Sequence, residues 1–423
     1  MNTAAVILAA GKGKRLASDK SKALQPLWSR PLIDHVVLKF KELSSIDKIF
    51  VVTSGDKDLA LHIGRNFHRV KEVVQKRRLG TADALKKVVP FLKKGFKNIL
   101  VINVDSPLVE VSTLREMLKI HSRARASLTI LVADVSYPGT LGRVSLDRQG
   151  VACVREALGL SQEEKKNSLI NVGAYVFSRE SLSILNSIPK DKKKGEYYLP
   201  KAVEILRRRN KRVEYIILKD TREAQGINTR KDLSLAHIML NEKTIEYHLK
   251  KGVTIIDPRT TFIASRVKIG KDTTIYPFSY IEEGVSIGSR CKIGPFCHLR
   301  GGSVLKDDCR IGNFTEINRS ELGNNVAMKH FGYLGDAEVG NLSNIGAGTV
   351  TANYDGKNKH KTRIGKDVFI GSDTVLVAPS VIKEGARTGA GAVVLKNQVV
   401  KKGETVAGVP AKVIKDNSKS KRS

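Results

Sequence analysis

The sequence predicts an α/β chain in two parts: an open, mostly parallel α/β domain and a parallel β-helix, joined by a helix. Three observations carry this. From Ile269 to Ile317 an aliphatic residue opens every block of six: Ile269, Ile275, Ile281, Ile287, Ile293, Leu299, Leu305, Ile311 and Ile317. In the first half, short apolar runs alternate with stretches of helical spacing. Between the halves, Arg230 to Lys250 has helical character without Pro or Gly, and Lys251-Gly252 closes it.

Val6-Ile7-Leu8 reads as a buried strand, and Gly11 and Gly13 open a turn after it. Asp34 to Glu42 has helical spacing, and Ile49 to Thr53 is a second apolar strand. Ala82 to Leu92 reads as a helix, and Ile99 to Ile102 as a strand ending at Asn103-Val104-Asp105. Ser112 is the expected N-cap of a helix running to His121, and Leu128 to Val132 is another strand. Open α/β sheets bind ligands beyond the carboxyl ends of their strands, so Leu8–Arg15 and Asp105 are expected to face one pocket.

A six-residue period is neither 3.6 nor 2, so no single helix or strand explains the second half. It fits a solenoid in which each short face carries one aliphatic into the core. Four residues after the openers come small side chains such as Thr273, Ser279, Cys291, Cys297 and Cys309, as a tight corner requires. The beat resumes at Ile364, Ile370, Leu376, Ile382, Thr388 and Val394. Two irregular stretches, Met328–Asp336 and Asn353–Thr362, interrupt it, and breaks in a solenoid are where function is placed. The expected division is residues 1–228, a connecting helix 229–250, the hexapeptide domain 251–415 and a basic tail 416–423.

With 423 residues the chain is long for one core. Lys and Arg number 74 against 42 Asp and Glu, a net charge of +32. Such a balance attracts phosphorylated substrates, anionic lipid or nucleic acid. The cations are spread, with runs at Lys192–Lys194, Arg207–Arg209 and Lys415–Arg422, and aromatics are few. That argues against a nucleic-acid partner. The four cysteines lack CxxC spacing and read as reduced packing residues, not a zinc site. The start shows no basic leader, and no apolar run approaches the roughly 18 residues of a membrane span, so a cytoplasmic location without membrane insertion is expected.

Leu8-Ala9-Ala10-Gly11-Lys12-Gly13-Lys14-Arg15 is a Gly-rich loop loaded with cations, a combination suited to phosphates. It has neither Walker nor dinucleotide-fold spacing. Lys22, Gln75 and Gly80-Thr81 follow, and Asp105 at a strand end suits Mg²⁺ beside phosphates. From about Ala4 to Val399 the chain resembles the bifunctional bacterial N-acetylglucosamine-1-phosphate uridyltransferase/glucosamine-1-phosphate N-acetyltransferase family, with the same domain order and connecting helix.

The resemblance implies an N-terminal Rossmann-like nucleotidyltransferase domain and a left-handed parallel β-helix that forms homotrimers. It implies nucleotide binding by Leu8, Ala9, Ala10, Gly11, Arg15, Lys22, Gln75, Gly80 and Thr81. Magnesium falls to Asp105 and Asn228, and the sugar nucleotide to Gly142, Glu156, Asn171 and Asn228. In the second half, His330 falls on the family's acetyltransferase base, and Arg300, Tyr333 and Asn344 on its sugar-phosphate positions. Ala347, Asn353, Tyr354, Ser372 and Ala390 fall on its acetyl-CoA groove. The implied co-substrates are UTP and acetyl-CoA, with sugar phosphates as partners.

The chain departs from the family at Asn103-Val104, Asp83 and Lys201, at Asn318 (a sugar-phosphate Lys in the family) and at Gly408 (a coenzyme-A Arg). Two alternatives stand beside the bifunctional reading. One is a nucleotidyltransferase for another sugar-1-phosphate with an altered acyl site; the other is a trimeric polyanion-binding scaffold.

Overall fold

Apolar runs that are buried on both faces form the centre of the first half. Every residue of strand Thr3–Leu8 is buried, as is nearly all of Asn98–Asn103 and Leu128–Asp134, as expected of parallel strands covered by helices on either side. The computed structural model describes all residues except 1, 93–94, 140, 149, 156–159, 193 and 417–423. Two units emerge, Met1–His237 and Ile238–Ser423. Residues 417–423 of the basic tail and Glu156 therefore lie outside the described residues.

In the first unit the sheet runs in the order Val213–Ile217, Leu128–Asp134, Leu169–Ser178, Asn98–Asn103, Thr3–Leu8, Ile46–Thr53, Val70–Val74. All these strands are parallel except Leu169–Ser178, which is antiparallel to both neighbours. A hairpin, Arg143–Asp147 with Gly150–Arg155, joins that strand through Ile170.

Two helices differ from the sequence reading. The helix expected over Ala82–Leu92 is α-helical only over Thr81–Val88 and continues as a 3₁₀ turn, Val89–Phe91, because Pro90 has no N–H to donate. Helix Val111–Ala124 begins before Ser112, which does not cap it. Glu223 supplies the negative charge instead, accepting from Glu110 N at 2.8 Å and Thr113 Oγ1 at 2.8 Å.

That helix also buries His121, 2% exposed, with Nδ1 at 2.9 Å from Thr129 Oγ1. Burial pushes its imidazole down to about 4. A depressed histidine leaves the unfolded chain holding more protons, so stability is lost as pH falls from about 6.5 towards 4. Between pH 7 and 5 the loss is about 2 kcal/mol. The fall in Tm over that range should be clearly smaller in His121→Gln; equal slopes would refute the assignment.

Helix Arg230–Lys250 occupies the stretch where the sequence places it. Beyond it, short strands stack into three sheets that are parallel except for a closing antiparallel pair, Glu404–Ala407 with Lys412–Asp416. Thr274 pairs with Lys292, Tyr280 with His298 and Ser286 with Val304, so three hexapeptides make one coil of a parallel β-helix of the left-handed type. The block-opening aliphatics from Ile275 to Ile317 are buried, and so are Thr273, Ser279, Ser303 and the cysteines of this unit. All four cysteines are free thiols, and Cys291 and Cys309 donate to the Lys306 and Gly323 carbonyls at 3.2 Å.

The register shows where the solenoid is altered. The pairing offset falls to 17 at Val304↔Glu321 and stays there at Glu321↔Glu338, then rises to 25 at Ala337↔Thr362. One corner is thus shortened at Arg319 and again at Asp336, and the next coil expands into the loop after Asn353. Met328–Asp336 is otherwise regular, with Tyr333 paired in sequence between Glu316 and Val350.

Candidate functional site

In the first unit, a hollow of about 730 Å³ opens where strands Thr3–Leu8 and Asn98–Asn103 end. Leu8, Ala10, Gly11, Lys22, Gln75, Gly80, Thr81 and Asp105 line it, so residues from five separate places in the chain meet there. Ala9 is buried beneath, its N–H donating to Val52 O at 2.8 Å. Arg15 is exposed in the turn Lys14–Leu16 and does not line the hollow. Lys12, Lys14, Lys76, Arg78, Glu196 and Tyr198 do. The run Lys76-Arg77-Arg78, just before Gly80, was the signal available for two of them.

Gly80 is fixed in place from both sides. Its φ is +99°, and a Cβ there would lie 2.5 Å from Tyr197 O and 2.7 Å from Tyr197 N. Tyr197 N donates to Leu79 O at 2.7 Å and Tyr197 O accepts from Ala82 N at 2.9 Å, clamping the turn to the Gly195–Tyr198 strap. Thr81 Oγ1 accepts from Leu199 N at 2.9 Å. Gln75 Nε2 donates to Gly80 O at 3.1 Å and to Asp83 Oδ2 at 2.7 Å, which gives Asp83 its role. Gly80→Ala should therefore cost about 1–3 kcal/mol of stability and raise KM for the nucleotide. An unchanged Tm would contradict this.

Lys22 is buried, and its Nζ lies 2.7 Å from Asp105 Oδ2 and 2.9 Å from Asn228 Oδ1. Ile227 N donates to Asp105 O at 2.8 Å, which brings the Gly226-Ile227-Asn228 segment against the strand end. Two oxygens from distant segments thus share one cation, the Lys22 ammonium. No cluster of three or more acidic, His or Cys ligands exists among the described residues. This donor pair fits a hard divalent ion that takes its remaining ligands from phosphate and water.

Gly142 and Asn171 do not line the hollow but pair with each other, Asn171 N donating to Gly142 O at 3.0 Å. Asn171 Nδ2 also donates to Tyr175 OH at 2.6 Å. Asn103, which lines the hollow, packs against Gly173, where a Cβ would lie 2.5 Å from Asn103 Nδ2. Lys201 pairs with Glu204 at 3.3 Å.

In the second unit one corner of the β-helix carries His330, Ala347, Ser372 and Ala390 in successive coils. The chain of hydrogen bonds is Gly348 N to Phe331 O at 2.8 Å, Asp373 N to Ala347 O at 2.6 Å and Gly391 N to Ser372 O at 2.8 Å. Side chains are excluded at the glycines beside these residues: a Cβ on Gly346 would lie 2.6 Å from Ser372 N, and one on Gly371 2.6 Å from Thr388 O. The residues above His330 in this column, Ala347, Ser372 and Ala390, are all small, and the column continues into Ala407-Gly408 with no cation. His330 is exposed, and its ring makes no hydrogen bond among the described residues.

Asn344 lies on the strand before this corner and Tyr333 on the strand after it. The far corner of the same sheet holds Arg300, Arg319, Asp336 and Asn353. Arg300 Nη1 donates to Glu316 Oε1 at 3.0 Å. Arg319 grips Asp336 with two bonds of 2.8 Å and Asn318 Oδ1 with one of 2.9 Å. The guanidinium holds the Asp336 carboxyl below its ordinary range. Asn353 Nδ2 donates to Asp336 as well, at 2.5 Å. Arg319 is thus committed to Asp336 and is no free substitute for a lysine at Asn318. Tyr354 is exposed in the inserted loop, its OH donating to Gly356 O at 2.6 Å.

Comparison with known proteins covers both units. A nucleotidyl transferase family model matches residues 4–224, and a bacterial transferase hexapeptide model matches 266–301 and 284–319. "Bifunctional protein GlmU" of Rubrobacter xylanophilus is 35% identical, covering 97% of this chain and 94% of the relative. That of Thermodesulfovibrio yellowstonii is 35% identical over 99% of each, and that of Bacillus subtilis 36% over 93% of each. No helix among the described residues is long and apolar enough to cross a membrane.

Proposed function

The chain belongs to the bifunctional GlmU family, and from that premise we propose that it makes UDP-N-acetylglucosamine in two steps. The first transfers an acetyl group from acetyl-CoA to glucosamine-1-phosphate. The second transfers uridylyl from UTP to N-acetylglucosamine-1-phosphate and releases pyrophosphate. The observation that carries the reading is the meeting of the Gly-rich loop, Lys22 and Asp105 around one hollow, with Asn228 bonded to the Lys22 ammonium, in a chain whose second unit sets His330 in a column of small corner residues.

In the uridylyl step a phosphate oxygen of the sugar attacks the α-phosphorus in line and pyrophosphate leaves; positioning and charge stabilisation do most of the work. The N–H groups of the Gly-rich loop and the Lys22 ammonium receive the nucleotide phosphates. Asp105 and Asn228 are the residues that would hold Mg²⁺, which when bound neutralises charge building on the phosphates. Gly142, Asn171 and Glu156 are assigned to the sugar.

In the acetyl step, the His330 imidazole takes a proton from the amino group as nitrogen adds to the thioester carbonyl. The C–S bond then breaks, and the amide and free CoA result. Tyr333, Asn344 and Arg300 are assigned to the sugar phosphate, and Ala347, Asn353, Tyr354, Ser372 and Ala390 to acetyl-CoA. We assign the assembly to a homotrimer and the location to the cytoplasm, where both co-substrates are made. The domain limits proposed are 1–228, 229–250 and 251–415.

Arg319 bears on the second reading, an altered acceptor. With Asn318 neutral and Arg319 held by Asp336, the phosphate of the acceptor has one cation fewer to meet. CoA release measured with glucosamine-1-phosphate and with glucosamine decides between the readings. A strong preference for the phosphorylated sugar supports glucosamine-1-phosphate, whereas no release with it favours a changed acceptor.

A further inference from the structure

We propose that Arg78 binds the β- and γ-phosphates of the incoming nucleotide while fastening the two loops that enclose them. This rests on the uridylyl-transfer reading of the hollow. Arg78 Nε donates to Ala10 O at 2.9 Å, so it ties the turn before helix Thr81–Val88 to the Gly-rich loop. The adjoining backbone is pinned by Leu79, whose N–H donates to Arg77 O at 2.9 Å and whose carbonyl accepts from Tyr197 N at 2.7 Å. The origin of the side chain is therefore fixed, and Arg78 is among the residues that line the hollow.

A guanidinium carries five N–H donors in a rigid fork. The Ala10 bond uses one, and no carboxylate pairs with Arg78 among the described residues. The remaining donors belong to the two terminal nitrogens, the pair that can hold phosphate oxygens in a fork. Arg78 is also the one arginine that lines the hollow among the described residues, Arg15 lying outside it. Lys12, Lys14 and Lys76 supply diffuse positive charge around the same mouth, but as single ammonium groups they do not orient a triphosphate. A tether to a carbonyl alone would be met by any long donor. What sets Arg78 apart is that its Nε makes that bond while its fork remains unpaired.

The test is calorimetric titration of the full-length protein with UTP and with UMP, both in Mg²⁺, for wild type, Arg78→Ala and Arg78→Lys. UMP lacks the two outer phosphates. In Arg78→Ala the Kd for UTP should rise about 10- to 100-fold, the Kd for UMP should change less than about threefold, and Arg78→Lys should lie between. CoA release from acetyl-CoA, which belongs to the other unit, should be unchanged and serves as the folding control. An equal loss for UMP and UTP would reduce Arg78 to a loop tether, and no loss for either would remove it from the site; each overturns the proposal. Absence of UTP binding by the wild type would instead overturn the uridylyl-transfer reading, and this proposal with it.

Discussion

Asp105→Ala should lower the rate of pyrophosphate release from UTP and N-acetylglucosamine-1-phosphate by about 10³-fold or more, some 4 kcal/mol of barrier. The carboxylate does two things at once. It is the one acidic member of the donor pair with Asn228, and it holds the Lys22 ammonium 2.7 Å away in a position where its side chain is 9% exposed. Removing it leaves a buried ammonium with a single neutral partner, and leaves the proposed Mg²⁺ only the neutral Asn228 as a protein ligand. Lys22 should then relocate, so nucleotide affinity falls along with turnover. CoA release should be unaffected, because Asp105 belongs to the first unit alone. Pyrophosphate release within fivefold of wild type would contradict this assignment of Asp105.

His330→Ala should lower CoA release by about 10²- to 10⁴-fold, the range for loss of a general base, and leave pyrophosphate release untouched. The substitution is clean. The His330 ring makes no hydrogen bond among the described residues, and the bond that orders this turn, from Thr315 Oγ1, goes to the His330 carbonyl at 3.1 Å and not to the ring. Stability should therefore change little, and the loss should be largest in kcat. A variant that keeps its Tm and its CoA release would move the base elsewhere.

How far the sequence carried the fold depends on where the physical signal lay. The hexapeptide beat was legible because each opener must point inward and little else can fill the position: from Ile275 through Ile317 they are buried. Strands Val70–Val74 and Val213–Ile217 escaped because Lys71, Glu72 and Glu214 break their apolar runs. Leu169–Ser178 escaped because the bulge between Asn171 and Tyr175 disturbs its alternation. The helix cap at Ser112 failed because the charge that completes that end comes from Glu223, more than a hundred residues away. No local pattern carries such information.

The sites divide in the same way. The Gly-rich loop, Lys22, Gln75, Gly80-Thr81 and Asp105 could be picked out as residues, and the strand ends gave the reason for them to meet. That Lys22 sits between Asp105 and Asn228 could not be seen, since the partners are 83 and 206 residues away. Nor could the commitment of Arg319, which depends on shortened corners that bring Asp336 directly over it. Arg78 was overlooked for a different reason: in a chain of net charge +32, one more basic residue carries no signal until its neighbours are known.

The most direct test of two chemistries on one chain is complementation. Asp105→Ala and His330→Ala are assayed singly and mixed, following UDP-N-acetylglucosamine formed from glucosamine-1-phosphate, acetyl-CoA and UTP. Each variant alone should be all but silent, and the mixture should regain a large part of wild-type turnover, because the acetylated intermediate passes from one protein to the other. A mixture as silent as its components, or a single substitution that stops both CoA and pyrophosphate release, would contradict the account.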